Sequence, residues 1–424
     1  MSSTPTTFDA SAVRADFPIL SQTVHGRPLV YLDSGATSQK PQVVLDAEID
    51  FLTRANSAVH RGAHSLAGEA TELFEDARAT VSGFLGAQPE QLVWTSGATF
   101  ALNLVAYAIG NATVGRGPSR FALAAGDEIV VTETEHHANL IPWQELAART
   151  GAVLRFIPVR DDGTLDVDAA ASLIGERTRV VAFTHVSNVL GIVNPVAELV
   201  TLARDAGALA VLDACQSAPH LPFDFGALDV DLAAFSGHKM LGPYGIGGLL
   251  GRSDVLDDLP PFLTGGSMVT TVALEEAHFL PAPQKFEAGT QPVSQAIGLA
   301  AAARYLDGLG MPDVHAHERA LERRMMAGLR EIAGVRILGD ATGVERVGIA
   351  SFDVDGVHAH DVGQFLDDRG VAVRVGHHCA KPLHARFGLT ASVRASASVF
   401  TTEDEIDVFL DAVSGVRPFF GVGA

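Results

Sequence analysis

Residues Ala208–Lys239 read ALAVLDACQSAPHLPFDFGALDVDLAAFSGHK. Two short apolar runs, Ala208–Asp213 and Leu232–Ser236, bracket a turn-rich middle. Neither run alternates apolar with polar residues, so each reads as a strand buried on both faces. The first ends in Asp213, and the second runs into Gly237-His238-Lys239. In parallel α/β sheets ligands gather outside the carboxyl ends of the strands. Asp213 and Lys239 are therefore expected on one rim of one sheet.

The same pattern extends outward in both directions. Gln91–Thr95 (QLVWT), Glu128–Thr132 (EIVVT), Val153–Val159 (VLRFIPV) and Arg179–Val186 (RVVAFTHV) precede it as strands, and Gly247–Gly251 (GGLLG) follows as a weaker one. Helical patterns at Ala101–Ile109, Pro142–Ala148 and Pro195–Ala206 lie between. Apolar strands alternating with helices predict an α/β fold with a mostly parallel sheet covered on both faces. After about Gln295 the pattern changes. Helices run to about Ala333, short strands follow at Val335–Leu338, Arg346–Phe352 and Val371–Val375, and a helix closes at Glu403–Val413. This mix predicts a smaller α+β domain. The expected units are an N-terminal segment 1–31 packing with the small domain, a large domain 32–295, and a small domain 296–424. Met1–Thr7 reads as a loose tail, Ala112–Gly126 as a long surface loop, and Pro260–Ser267 and Pro281–Pro292 as irregular segments near the junction of the two domains.

Composition narrows the function class. The chain has 424 residues, 47% of them apolar, enough for two or three packed domains. Its formal charge is −20, with no basic run to offset it, which argues against nucleic acid or an anionic membrane as partner. No apolar window is long enough to span a bilayer, and Met1–Ala10 lacks the pattern of a secretory signal. Two cysteines, Cys215 and Cys379, in so long a chain point to a reducing cytoplasm.

Polar residues at the strand ends supply candidate chemistry. Ser96-Gly97-Ala98-Thr99 after QLVWT could hold an anion on the exposed N–H groups of the next helix, or could be an ordinary cap. His136 and His137 follow EIVVT, where a ring could stack on a planar group, move a proton or serve as a core histidine. Asp213 at a buried strand end needs a partner, which a protonated heterocycle nitrogen or a helix start would supply. Lys239 could form a Schiff base if burial lowered its pKa. An acid for a pyridine nitrogen, a lysine for an aldehyde, a phosphate cup and a stacking histidine are together what pyridoxal 5′-phosphate requires. In the second domain Arg374-Val375-Gly376-His377-His378-Cys379-Ala380 offers a thiol among imidazoles. It fits an exposed nucleophile better than a zinc site, for which His358, His360 and His384 would be the nearest further ligands. Arg374 and Arg394 can grip a carboxylate.

These residues belong to longer stretches: Tyr31–Thr37 (YLDSGAT), Ala58–His64 (AVHRGAH), Glu135–Asn139 (EHHAN), His185–Gly191 (HVSNVLG), Ser236–Lys239 (SGHK), Phe286–Thr290 (FEAGT) and Arg374–Ala380 (RVGHHCA). Taken together they resemble the cysteine desulfurases of the class V aminotransferase superfamily, specifically the SufS type, from about Val13 to Leu410. The resemblance implies a fold-type-I pyridoxal-phosphate enzyme, a homodimer, L-cysteine as substrate, and a sulfur-acceptor protein of the SufE or SufU kind serving iron–sulfur cluster assembly. It implies that Lys239 bonds the cofactor and acts as base, His136 stacks on its ring, Asp213 pairs with the ring nitrogen and Gln216 meets the ring hydroxyl. Ala98 (by its backbone), Thr99, Ser236 and His238 would hold the phosphate, with Thr290 reaching in from the other subunit. Asn188, Arg374 and Arg394 would hold the substrate, and Cys379 would take its sulfur as a persulfide.

Phe100, Gln291 and Cys215 depart from residues common in such proteins. Cys215 reads as a packed thiol rather than a second nucleophile. The short segment around Cys379 implies a restrained cysteine and slow turnover without an acceptor. A selenocysteine lyase or another pyridoxal-phosphate β-lyase is the alternative enzyme. A metal-binding scaffold built on His358, His360, His377, His378 and Cys379 is the alternative of another class.

Overall fold

The computed structural model describes residues 8–422, so the tail Met1–Thr7 lies outside the described residues. Seven strands form the central sheet, in the spatial order Leu92–Thr95, Gly247–Gly251, Leu232–Ser236, Leu209–Asp213, Thr178–Thr184, Glu128–Thr132, Val153–Ile157. Gly247–Gly251 runs antiparallel to both its neighbours, while the other four pairings of the sheet are parallel. The sheet is thus mostly parallel, and its two faces contribute to two separate apolar clusters.

Gly247–Gly251 reads weakly as a strand because three of its five residues are glycine. Close approach explains the first of them: a Cβ on Gly247 would lie 2.7 Å from Gly97 Cα. A side chain there would push the antiparallel strand away from the turn that opens the helix Ala98–Thr113.

Leu92–Thr95 is an edge strand, and its outward backbone groups are not left bare. Arg78 Nη1 donates to the Leu92 carbonyl at 2.8 Å, and Trp94 N–H donates to Glu287 Oε1 at 2.8 Å. Arg78 and Glu287 are themselves paired through two bonds of 2.7 and 2.9 Å. A buried ion pair takes the place that another strand would occupy.

A second sheet of four antiparallel strands has the order Val335–Ile337, Ile349–Val354, Ser392–Ser396, Arg374–Gly376. It packs with Met311–Glu331, Ala359–Asp367 and Glu403–Ser414 in a separate apolar cluster that also takes Val30 and Leu32. Val30–Tyr31 pairs in parallel with Val371–Ala372. The helix Val293–Leu309 crosses the boundary expected at 295/296, and its buried face joins the cluster that holds Val44 and Phe74.

Several elements differ from the sequence expectation. The helices Gln42–Asp50 and Ser65–Phe84, the strand Ser392–Ser396 and the hairpin Val269–Val272/Ala277–Phe279 were not anticipated. Val371–Val375, expected as one strand, is split at Val373 between two sheets. The hairpin is exposed on nearly every residue, so it carries no burial pattern that a sequence reading could detect.

Candidate active site

A cavity of about 140 Å³ opens at the carboxyl ends of the parallel strands. Eleven of the thirteen site residues expected from the sequence line it. Asp213 ends one strand and Lys239 follows the next, as their positions in the chain require. Ala98 and Thr99 begin the helix Ala98–Thr113, with Ser236 and His238 opposite. His136, Gln216, Asn188, Arg374 and Arg394 complete the wall. Thr290 is exposed and does not line this cavity, and Cys379 stands at its margin.

The polar atoms show what the cavity can hold. Asp213 is 4% exposed, and its Oδ1 accepts the Cys215 N–H at 2.9 Å. Among the described residues it has no cationic partner. A buried carboxylate in that state suits a protonated ring nitrogen. Gln216 gives its Nε2 hydrogen to the Gly35 carbonyl at 2.9 Å, which leaves Oε1 buried without a partner, an acceptor for a ring hydroxyl. His136 accepts the Ala138 N–H on Nδ1 at 3.0 Å, which fixes its ring. Burial, then the charge of Lys239, holds its pKa down to about 3, so it is a neutral flat ring. At the other end Ser236 Oγ accepts the Ala98 N–H at 2.9 Å beside a helix N-terminus of sixteen residues. Gly97 takes φ +139°, and a Cβ there would lie 3.2 Å from Ser236 Oγ. Helix N–H groups, hydroxyls and a glycine-lined turn fit a phosphate. The donor set matches pyridoxal phosphate at ring, hydroxyl and phosphate ends alike.

Cys215 packs against an apolar cluster, as expected, and also lines this cavity. Burial and then Asp213 push its pKa up to about 12. It is a protonated neighbour of the cofactor space, 3.6 Å from Ser236 Oγ.

Cys379 sits on a strained turn. His378 and Cys379 take φ of +50° and +57°, a left-handed pair of non-glycine residues that other contacts must hold. Asn188 Nδ2 donates to the His378 carbonyl at 2.7 Å, and His137 N–H donates to the Cys379 carbonyl at 2.7 Å. Lys381 N–H donates to His137 Nε2 at 3.2 Å. Arg374 Nη2 lies 3.6 Å from Cys379 Sγ. Asn188 spends one of its two amide hydrogens on this turn, so the second hydrogen and Oδ1 remain for a substrate.

Arg394 is 1% exposed, with Nη1 on the Asn188 carbonyl at 2.9 Å, Nη2 on Asp33 at 3.2 Å and Nε without a partner. Gly35 leaves room for it, since a Cβ there would lie 3.1 Å from Arg394 Cζ. Asp33 and Gly35 were not singled out as site residues, although both lie in the YLDSGAT stretch. Their signal was present there without a role attached.

The metal-scaffold alternative loses its geometric basis. Among the described residues the one His/Cys/Asp/Glu group with ligand atoms close enough to share an ion is His25, Asp367 and Asp368, which excludes Cys379.

Residues 30–409 match the class-V aminotransferase family. The chain belongs to that family. It is 56% identical over 421 residues to the probable cysteine desulfurase 2 of Mycobacterium leprae, covering 98% of each chain. The cysteine desulfurase of Thermococcus onnurineus superposes with a TM-score of 0.89 at 38% identity, covering 96% of this chain and 98% of that one. A variant of C-DES with glycine covalently linked to its pyridoxal-phosphate cofactor superposes with a TM-score of 0.79 at 26% identity, over 95% and 99%. The α/β fold of the pyridoxal-phosphate transferases, pyridoxal 5′-phosphate as cofactor and cysteine desulfuration as activity all stand as the resemblance implied. Among the described residues no helix is long and apolar enough to cross a membrane.

Proposed function

We propose that this desulfurase leaves the sulfur of L-cysteine on Cys379 and hands it to an acceptor protein of the SufE or SufU kind for iron–sulfur cluster assembly in the cytoplasm. It works as a homodimer in which Thr290 of each subunit completes the phosphate site of the other. Pyridoxal phosphate supplies the electron sink for negative charge at the substrate Cα.

The chain's own residues supply binding and proton control. Lys239 would hold the cofactor and, once freed, take the Cα proton on Nζ. Asp213 would favour a protonated ring nitrogen, Gln216 Oε1 would accept from a ring hydroxyl, and His136 would cover one face of the ring. Ala98 N–H, Thr99, Ser236 and His238 hold the phosphate. Arg374 and Arg394 would take the substrate carboxylate, with the second Asn188 Nδ2 hydrogen as a further donor to it. Cys379 Sγ, as thiolate, then bonds the substrate sulfur. The Cβ–S bond breaks, its electron pair stays with the carbon skeleton, and L-alanine is completed by a proton at Cβ and by return of the Cα proton from Lys239 Nζ.

The 3.6 Å approach of Arg374 to Cys379 Sγ, in a wall shared with Lys239 and Asp213, supports this reading most. Mass spectrometry after a single turnover tests it. One sulfur should map to the Cys379 peptide and vanish in Cys379→Ala, which should still bind the cofactor. Lys239→Ala should lose borohydride-reducible cofactor attachment. Sulfur mapped to Cys215, or desulfuration at the normal rate by Cys379→Ala, would replace this mechanism with a simple lyase.

A further inference from the structure

Behind the Cys379 turn lies a buried chain of three side chains that the mechanism above leaves idle. Ser392 Oγ is 2.9 Å from His378 Nε2 and 2.9 Å from His384 Nε2. His384 Nδ1 is 3.1 Å from the Ala380 carbonyl. None of the three side chains reaches solvent to any useful extent. Burial pushes the pKa of both histidines down, that of His378 to about 2, so both are neutral.

Hydrogen counting then fixes every proton. A carbonyl only accepts, so His384 carries its hydrogen on Nδ1 and its Nε2 is a lone pair. That lone pair takes the Ser392 hydroxyl hydrogen. The hydroxyl has no second hydrogen, so its oxygen must accept from His378 Nε2–H. His378 Nδ1 is left as a lone pair, buried and without a partner. With Nε2 turned to Ser392, Nδ1 is the one ring nitrogen left unpaired on a side chain that lines the cavity.

The surrounding wall offers hydrogens. Arg374 and Arg394 are donors for the substrate carboxylate, and the substrate amine goes to the cofactor beside Lys239. The hydrogen-bearing group of cysteine that remains is its thiol, which must approach Cys379, the residue next to His378. We propose that His378 Nδ1 accepts the S–H hydrogen of the substrate, and that Ser392 and His384 are positioning residues that hold it in the accepting tautomer. The site would read its substrate by the thiol proton. A cysteine thiol has a pKa of about 8.5 and keeps its hydrogen at neutral pH. A selenol is ionised there, and a selenolate facing a lone pair is repelled. This inference rests on the assignment of the cavity as the substrate site.

Two measurements on the cofactor-loaded enzyme test it. Nitrogen-15 NMR of histidine-labelled protein reads tautomers directly, with the His378 signal assigned by its loss in His378→Asn. It should show His378 protonated on Nε2 in the wild type. Ser392→Ala removes the fixing oxygen. The ratio of kcat/KM for cysteine to that for selenocysteine should then fall about 10-fold, the worth of one hydrogen bond. Ser392→Thr, which keeps the hydroxyl, should restore it. A wild-type His378 protonated on Nδ1, or an equal loss for both substrates in Ser392→Ala, would overturn the proposal. If Ser392→Ala fails to fold, the wild-type tautomer alone decides. A wild type inert toward cysteine would instead refute the functional reading beneath it.

Discussion

Glu287→Ala removes the carboxylate that covers the sheet edge and strips the buried Arg78 of its main counter-charge. Three contacts vanish together: the two guanidinium bonds at 2.7 and 2.9 Å and the Trp94 N–H bond at 2.8 Å. Breaking a buried pair by deleting one partner costs about 3–5 kcal/mol. Arg78 keeps the Leu92 carbonyl at 2.8 Å and the half-exposed Glu75 at 2.9 Å, which places the guanidinium part near the lower end of that range. The orphaned Trp94 N–H adds about 1 kcal/mol or more. The expected loss is about 4 kcal/mol, read by urea unfolding at fixed protein and cofactor concentration, because ligand and partner both shift apparent stability. Arg78→Met with Glu287→Leu removes both charges and should recover most of the loss. A single variant that loses less than about 1 kcal/mol, or a double variant no better than the single, would refute the view that this pair acts as a substitute strand.

The two thiols should differ in reactivity although both are partly accessible. Cys379 lies beside Arg374 and should label rapidly with iodoacetamide at pH 7.5, whereas Cys215 is held protonated and should label slowly; equal rates would contradict this. Acid should destabilise the protein earlier than carboxylate titration alone would. Burial holds His136 near 3, His185 and His238 near 4 and His378 near 2, against 6.5 in the unfolded chain. The unfolded state therefore binds more protons below pH 6.5, and the stability these groups contribute is present above that pH and lost as it falls, by up to about 1.4 kcal/mol per pH unit for each group. Glu135, raised by burial to about 8, acts in the opposite sense between pH 4.5 and 8. Asp33, Glu48, Asp231, Glu322, Asp353 and Glu405 are raised by burial and act in the same sense as Glu135, so the histidine contribution is read as a difference: His378→Asn should flatten the change in melting temperature from pH 6 to 4.5 relative to the wild type, and an unchanged profile would argue that His378 is not neutral and buried.

The parallel strands were legible because each is a continuous apolar run with its polar residue at one end. Glu128–Thr132 and Leu232–Ser236 fall where the sequence puts them, to the residue. Ser392–Ser396 was missed because SVRAS carries an arginine and two serines, and only a sheet that buries Arg394 against Asp33 makes such a run an inner strand. Asp213, Lys239 and Ser236 were legible from position alone, since strand ends in this architecture converge. The His378–Ser392–His384 chain was not. Its members are joined by a hydroxyl from a different strand, and no spacing along the chain announces that juxtaposition.

The antiparallel strand Gly247–Gly251 also sets an order of events during synthesis. Leu92–Thr95 emerges from the ribosome first of the seven, yet its one ladder partner is Gly247–Leu250. Until that segment has been made, the strand that leads into the turn with Ala98 and Thr99 has no ladder partner, and the turn is held opposite Ser236 by the Ala98 N–H bond and by the helix Ala98–Thr113 packed on the sheet. The nascent chain therefore carries an unpaired strand through the whole βα series, and the phosphate end of the site is braced last.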